Sequence, residues 1–210
     1  MLNLIMQFFS FAFAAYPTAG MDSCQSTGDP HIVTFGDHQK YDSMAVGNFW
    51  LAKSTDWDCQ VHQDGVKHFN NKVGIRYKKS IWVATIDSKS LTCVSGNCVQ
   101  IDIQTFDGKA VAKLPNDCEI SLTFVGTDGL DVSVTVPGQD VASQAASLCN
   151  PGRKITAPLT DNSFAVNGGS YFDNPTAIGA ALNVLPSVLA TPIAPAPAAQ
   201  PATDAMPKAY

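Results

Sequence analysis

An antiparallel β-sandwich, stapled by disulfides and with few or no helices, is the fold class this sequence predicts. Three observations carry the prediction. Apolar residues recur at every second position in several short runs, turn-forming pairs separate those runs, and six cysteines are spread along the 210 residues. A period of two sets one side of a strand against a core and the other in water.

The runs come in order along the chain. Val73, Ile75 and Tyr77 alternate with Lys72, Gly74, Arg76 and Lys78, and Val99, Ile101 and Ile103 alternate with Gln100, Asp102 and Gln104. Ile120, Leu122 and Phe124 follow the same rule, as do Leu130, Val132, Val134 and Val136. Between them, Asp107-Gly108 and Asp128-Gly129 offer the positive φ that tight hairpins require. Asp140 to Leu148 is the one helix candidate, and it is short. From Pro186 to Tyr210 the chain turns to Pro and Ala, a composition that excludes helix and sheet interiors and predicts a disordered tail or linker.

Composition narrows the function classes. The formal net charge is −5 and charged residues make up only 15%. With no basic stripe, neither nucleic acid nor an anionic membrane surface is an expected partner. Residues 1–15 read as a signal peptide: Leu2 to Ala15 is almost wholly apolar and ends in Ala12-Phe13-Ala14, with small residues where a signal peptidase needs them. The run is too short to span a bilayer, so no transmembrane segment is expected. Secretion turns an even number of cysteines into a disulfide framework. Cys24, Cys59, Cys93, Cys98, Cys118 and Cys149 include no C-x-x-C pair of the kind that zinc sites use.

The stretch Cys24 to Phe35, with Gly28-Asp29-Pro30-His31 inside it, resembles the opening of von Willebrand factor type D domains. Tyr41-Asp42, Gly47-Asn48-Phe49-Trp50-Leu51-Ala52 and Asp58-Cys59-Gln60-Val61 resemble the segments that follow. Leu130 to Val136 and then Ser147-Leu148-Cys149-Asn150 resemble the family's distal end, so the likeness covers residues 22–185. Asn48 stands where the family usually has a cysteine. The resemblance implies a Cys24–Cys149 bridge. Cys93 and Cys98 can close a small hairpin loop, which leaves Cys59 with Cys118; other pairings among six cysteines stay open.

Many members of that family bind Ca²⁺. Here Asp37, Asn150, Asp161 and Asn162 are the oxygen donors at the corresponding places. A hard cation needs several clustered oxygens, and Arg153 and Lys154 beside Asn150 oppose it, so no cofactor is expected. The same resemblance implies a structural or adhesive module, not an enzyme. Such a module would contribute to a matrix, coat or adhesive secretion, with other extracellular proteins or glycans as partners. A lipid- or ligand-carrying accessory domain is an alternative, because type D domains also occur in lipid-transport proteins.

The sharpest chemistry lies at Asp29-Pro30. The Asp29 carboxyl can attack its own carbonyl carbon, and the Pro30 nitrogen leaves well once protonated. Gly28 supplies flexibility and His31 an acid near pH 6. Some type D domains cleave themselves at this bond in mild acid, so self-processing is a second alternative. His38, His62 and His68 lack metal-ligand spacing, and Asp56 and Asp58 flank Trp57 in an expected solvated loop.

Overall fold

The computed structural model describes residues 20–65, 69–98, 101–138, 140–141, 146–151, 165–166 and 170–173. The expected signal peptide, the Pro/Ala-rich tail, His68, Asp161 and Asn162 lie outside them. The first four strands are β1 (Met21–Thr27), β2 (His31–Val33), β3 (Lys40–Asp42) and β4 (Gly47–Lys53). Next come β5 (Trp57–Gln63), β6 (Asn70–Tyr77), β7 (Ser80–Thr85) and β8 (Leu91–Ser95). The last are β9 (Asp102–Phe106), β10 (Lys109–Lys113), β11 (Glu119–Val125) and β12 (Gly129–Pro137). All pairings are antiparallel, and the described residues contain no α-helix; of the helix candidate at 140–148, Asp140, Val141 and Ala146 are in 3-10 turn and 142–145 lie outside the described residues.

Two sheets result. One has seven strands in the order β3-β2-β1-β12-β11-β10-β9; the other has five, β4-β5-β6-β7-β8. Strands adjacent in sequence pair within each sheet, the chain crosses between the sheets from β3 to β4 and from β8 to β9, and β1 pairs with β12, which brings the two ends of the sandwich together. The two inner faces meet in a single core. Ile120, Leu122, Val134 and Val136 from the larger sheet join Phe49, Val61, Val73, Ile75 and Trp82 from the smaller one, all essentially inaccessible to water. Trp57 and Trp82 are thus core aromatics, the commoner fate of large rings. Burying such side chains stabilises by roughly 1.5–3 kcal/mol each.

The alternating runs at 73–77, 120–124 and 130–136 are strands, as their period predicts. Of the run at 99–104, Asp102 to Gln104 lie in β9 and Ile101 stands just before it, while 99–100 fall outside the described residues. Asp107 and Gly108 both take positive φ, at 42° and 71°, and make the expected two-residue hairpin. The next turn lies earlier than expected. Gly126 carries the positive φ, while Gly129 already pairs with Val125 inside β12. The glycine is needed there for room, since a Cβ would stand 2.9 Å from Phe69 Cβ.

Cys24 and Cys149 form a bridge across 125 residues of sequence, and Cys93 and Cys98 close a small loop on β8. The expected third bridge is not formed, because Cys59 and Cys118 are both free and buried. Cys118 lies in the β10–β11 turn, hydrogen-bonded to the Asn116 carbonyl at 3.8 Å and to Trp57. Trp57 stands two residues before Cys59 on β5. Burial raises both thiols above their ordinary values, most strongly at Cys59.

Candidate functional site

Gly28, Asp29 and Pro30 form the turn between β1 and β2, whose register runs Gln25 to Val33, Ser26 to Ile32 and Thr27 to His31. Reversing the chain in so few residues needs a left-handed conformation, which Gly28 takes at φ 59° without the Cβ penalty of other residues. Its N–H donates to Asp131 Oδ1 at 2.9 Å, so a carboxylate on β12 pins the turn. Pro30 is buried, and its carbonyl accepts the Ser43 N–H at 2.9 Å. Asp29 is exposed, and among the described residues its carboxylate has no partner.

The next hairpin brings β3 beside β2 and sets Asp42 directly opposite His31. The His31 Nδ1 lies 2.6 Å from Asp42 Oδ1, with both side chains about half exposed. With Nδ1–H donating to Asp42, the ring is held in one orientation. Asp29, Pro30 and His31 are thus in one turn, as the motif predicts, with two further carboxylates holding them. Asp42 and Asp131 were not singled out from the sequence. The hairpin register alone identifies Asp42, whereas Asp131 is 103 positions from its partner.

Of the calcium candidates, Asp37 and Asn150 are described. The 35–37 loop does touch the 149–151 segment: Phe35 N–H donates to the Cys149 carbonyl at 3.2 Å, and Gly36 lies against Pro151. Asp37 Oδ1, however, accepts the Thr34 hydroxyl at 2.7 Å, and Asn150 N–H is turned back to the Ser147 carbonyl at 3.2 Å. Asp22 joins this region through Gly36 N–H, 2.7 Å from its Oδ2, and His38, 3.5 Å from its Oδ1. Among the described residues, no group of three or more His, Cys, Asp or Glu is placed to hold a metal ion.

A second polar cluster sits on the outer face of the five-stranded sheet. Asp58, expected in a solvated loop, is instead buried in β5. Its Oδ2 receives Arg76 Nε at 2.6 Å and Nη2 at 2.5 Å, and its Oδ1 receives the Tyr171 hydroxyl at 2.5 Å. Burial, the largest influence, holds the Asp58 carboxyl above its ordinary range against the pull of Arg76 and Tyr171. Burial and then the Asp58 charge push the Tyr171 hydroxyl up.

The cluster fastens residues 170–173 to the sheet. Tyr171 N–H donates to Gln60 Oε1 at 3.1 Å, and Asn48 donates to Ser170 Oγ at 3.0 Å. His62 Nδ1 lies 2.6 Å from Asn48 Oδ1, and burial lowers the His62 pKa. Gly74 leaves the space for the Tyr171 ring, because a Cβ would stand 3.0 Å from its Cδ2. No protein-family model matches the chain, and no curated protein matches it.

Proposed function

We propose that this chain is a secreted structural or adhesive module of the von Willebrand factor type D kind. It would act in a matrix, coat or adhesive secretion, through contacts with other extracellular proteins or glycans. The observation that carries this reading is the Cys24–Cys149 bridge, which ties the first strand of the sandwich to the segment after the last. Such bridges persist in oxidising compartments. The Gly28-Asp29-Pro30-His31 turn supports the same reading, since it opens the bridged strand pair. A core filled by Phe49, Ile75, Trp82 and Leu122 works against the lipid-carrying alternative.

The test is export of the full chain from a eukaryotic cell. Protein recovered outside should begin at Tyr16 or Ala15, and alkylation after unfolding without reductant should label two cysteines, Cys59 and Cys118. Retention inside the cell with Met1 in place, or labelling of all six, would overturn the reading.

Self-processing is a second reading, favoured by the 2.6 Å contact between His31 and Asp42 beside an exposed Asp29. The Asp29 carboxyl oxygen would bond to its own carbonyl carbon as the C–N bond to Pro30 breaks. The proline nitrogen takes a proton from the His31 imidazolium, and water then opens the anhydride. At mildly acid pH the chain should yield two bands on a reduced gel and one on a non-reduced gel, because Cys24–Cys149 spans the cut. Asp29→Asn should abolish cleavage, and Asp42→Asn, which releases the His31 ring, should slow it. Equal cleavage in Asp29→Asn eliminates the mechanism.

A further inference from the structure

The outer face of the seven-stranded sheet holds a groove of about 190 Å³ across β1, β11 and β12. Gln25 and Thr27 line it from β1, Ser121 and Thr123 from β11, and Asp131 and Ser133 from β12. Their placement follows from register. Gln25 pairs with Ser133 and Ser133 with Ser121, so these three stand in one row; Asp131 pairs with Thr123 in the next. Outward positions of an antiparallel sheet are ordinarily polar and simply solvated. Here short side chains occupy the three central strands, while exposed Lys109 and Lys113 on β10 and His31 on β2 stand to either side. The face is therefore concave where it could have been covered.

The lining is also unspent. Among the described residues, Gln25, Thr27, Ser121, Thr123 and Ser133 make no side-chain hydrogen bond within the protein. Asp131 has given one oxygen to Gly28 N–H and keeps the other. The groove thus presents four hydroxyls and an amide, each able to donate and accept, around a single carboxylate. An apolar ligand would gain little against such walls. An anionic ligand would meet Asp131 with no cation in the lining to offset it. The volume lies below the roughly 300–1,000 Å³ of pockets that enclose drug-sized molecules, which suits one ring with several hydroxyls.

We propose that this groove binds a neutral sugar unit of an extracellular glycan. The proposal rests on the reading of the chain as an extracellular module, and adds to it a site and a partner class. Asp131 Oδ2 accepts from a sugar hydroxyl, while the serine, threonine and glutamine side chains donate to and accept from its neighbours. Single-ring contacts of this kind are weak, so firm attachment comes from repeated units along a chain.

The experiment is a titration of the ¹⁵N-labelled full chain with cellotriose and maltotriose at millimolar concentration, with a galacturonate trimer as the acidic control. Saturable shifts should appear at residues 25–27, 121–123 and 131–133 with a neutral trimer and not with the acid. Ser121→Val with Ser133→Val places strand-favouring residues on the outer face. This variant should keep both bridges and the urea midpoint while weakening binding about tenfold. The proposal is overturned by shifts on another face, by no saturable shift with either neutral trimer, or by undiminished binding in the variant. Export and alkylation decide the extracellular reading separately, so either conclusion can fail without the other.

Discussion

Replacing Cys24 and Cys149 together by alanine should lower the unfolding free energy by about 4–5 kcal/mol, a large fraction of the roughly 5–15 kcal/mol that folded domains commonly have. The bridge closes 125 residues of chain, and the entropy it removes from the unfolded state grows with the length enclosed. Its position adds to this. Leu148 and Cys149 N–H groups donate to Trp50 and Leu51 carbonyls on β4, while the Leu148 carbonyl accepts the Tyr41 hydroxyl from β3. The segment thus holds both sheets, and the bridge holds the segment. Removing Cys93–Cys98, which are only five positions apart, should cost about 2 kcal/mol. Urea midpoints of the two double variants check the difference. Equal losses would show that the long bridge acts only through its local packing.

Asp58→Ala should cost about 3–5 kcal/mol, because it strands the guanidinium of Arg76 under Tyr171 with no counter-charge. The Arg76 side chain is 14% exposed and that of Asp58 is 3% exposed, so water cannot substitute for the lost partner. Tyr171→Phe removes one donor and should cost less, about 1.5–3 kcal/mol. A triple variant with Asp58→Leu, Arg76→Met and Tyr171→Phe should recover most of the loss, since well-packed apolar replacements of a buried ion pair are often neutral. Urea denaturation of the series provides the measurement. An Asp58→Ala loss below about 1 kcal/mol would place the pair in the class of exposed surface bridges.

These two results draw on features of unequal visibility in the sequence. Cys24 and Cys149 stood in recognisable surroundings, and the strands at 120–124 and 130–136 announced their inner faces through strict alternation. Asp107-Gly108 carried its hairpin in two residues. What alternation cannot supply is the pairing of strands far apart. Asp56-Trp57-Asp58 looks like a charged loop until Arg76 is brought beside it by the β5–β6 register and Tyr171 from 113 positions away. Gly129 looked like a turn glycine because its contact with Phe69 is not written locally. Cys59 and Cys118 looked like a pair because counting cysteines ignores where the fold places each of them.

The same connectivity fits the turn between β1 and β2. Its Asp29–Pro30 bond was legible as chemistry, but its supports were not: Asp42 arrives through one hairpin and Asp131 through the closing strand. Sequence located the bond that could react and left unstated what holds it.

The bridge from Cys24 to Cys149 also determines how the chain would carry a pull. Tension applied at the two ends enters at Cys24, crosses the sulfur–sulfur bond and leaves at Cys149, bypassing everything between. The short β1 segment from Met21 to Ser23, paired with Thr135 to Pro137, lies on that path, and beyond Cys149 so do the attachments of Val166 and Tyr171 to the five-stranded sheet. Once those attachments yield, a chain stretched between two anchor points would transmit force as a covalent cord while the strands between Cys24 and Cys149 stayed slack.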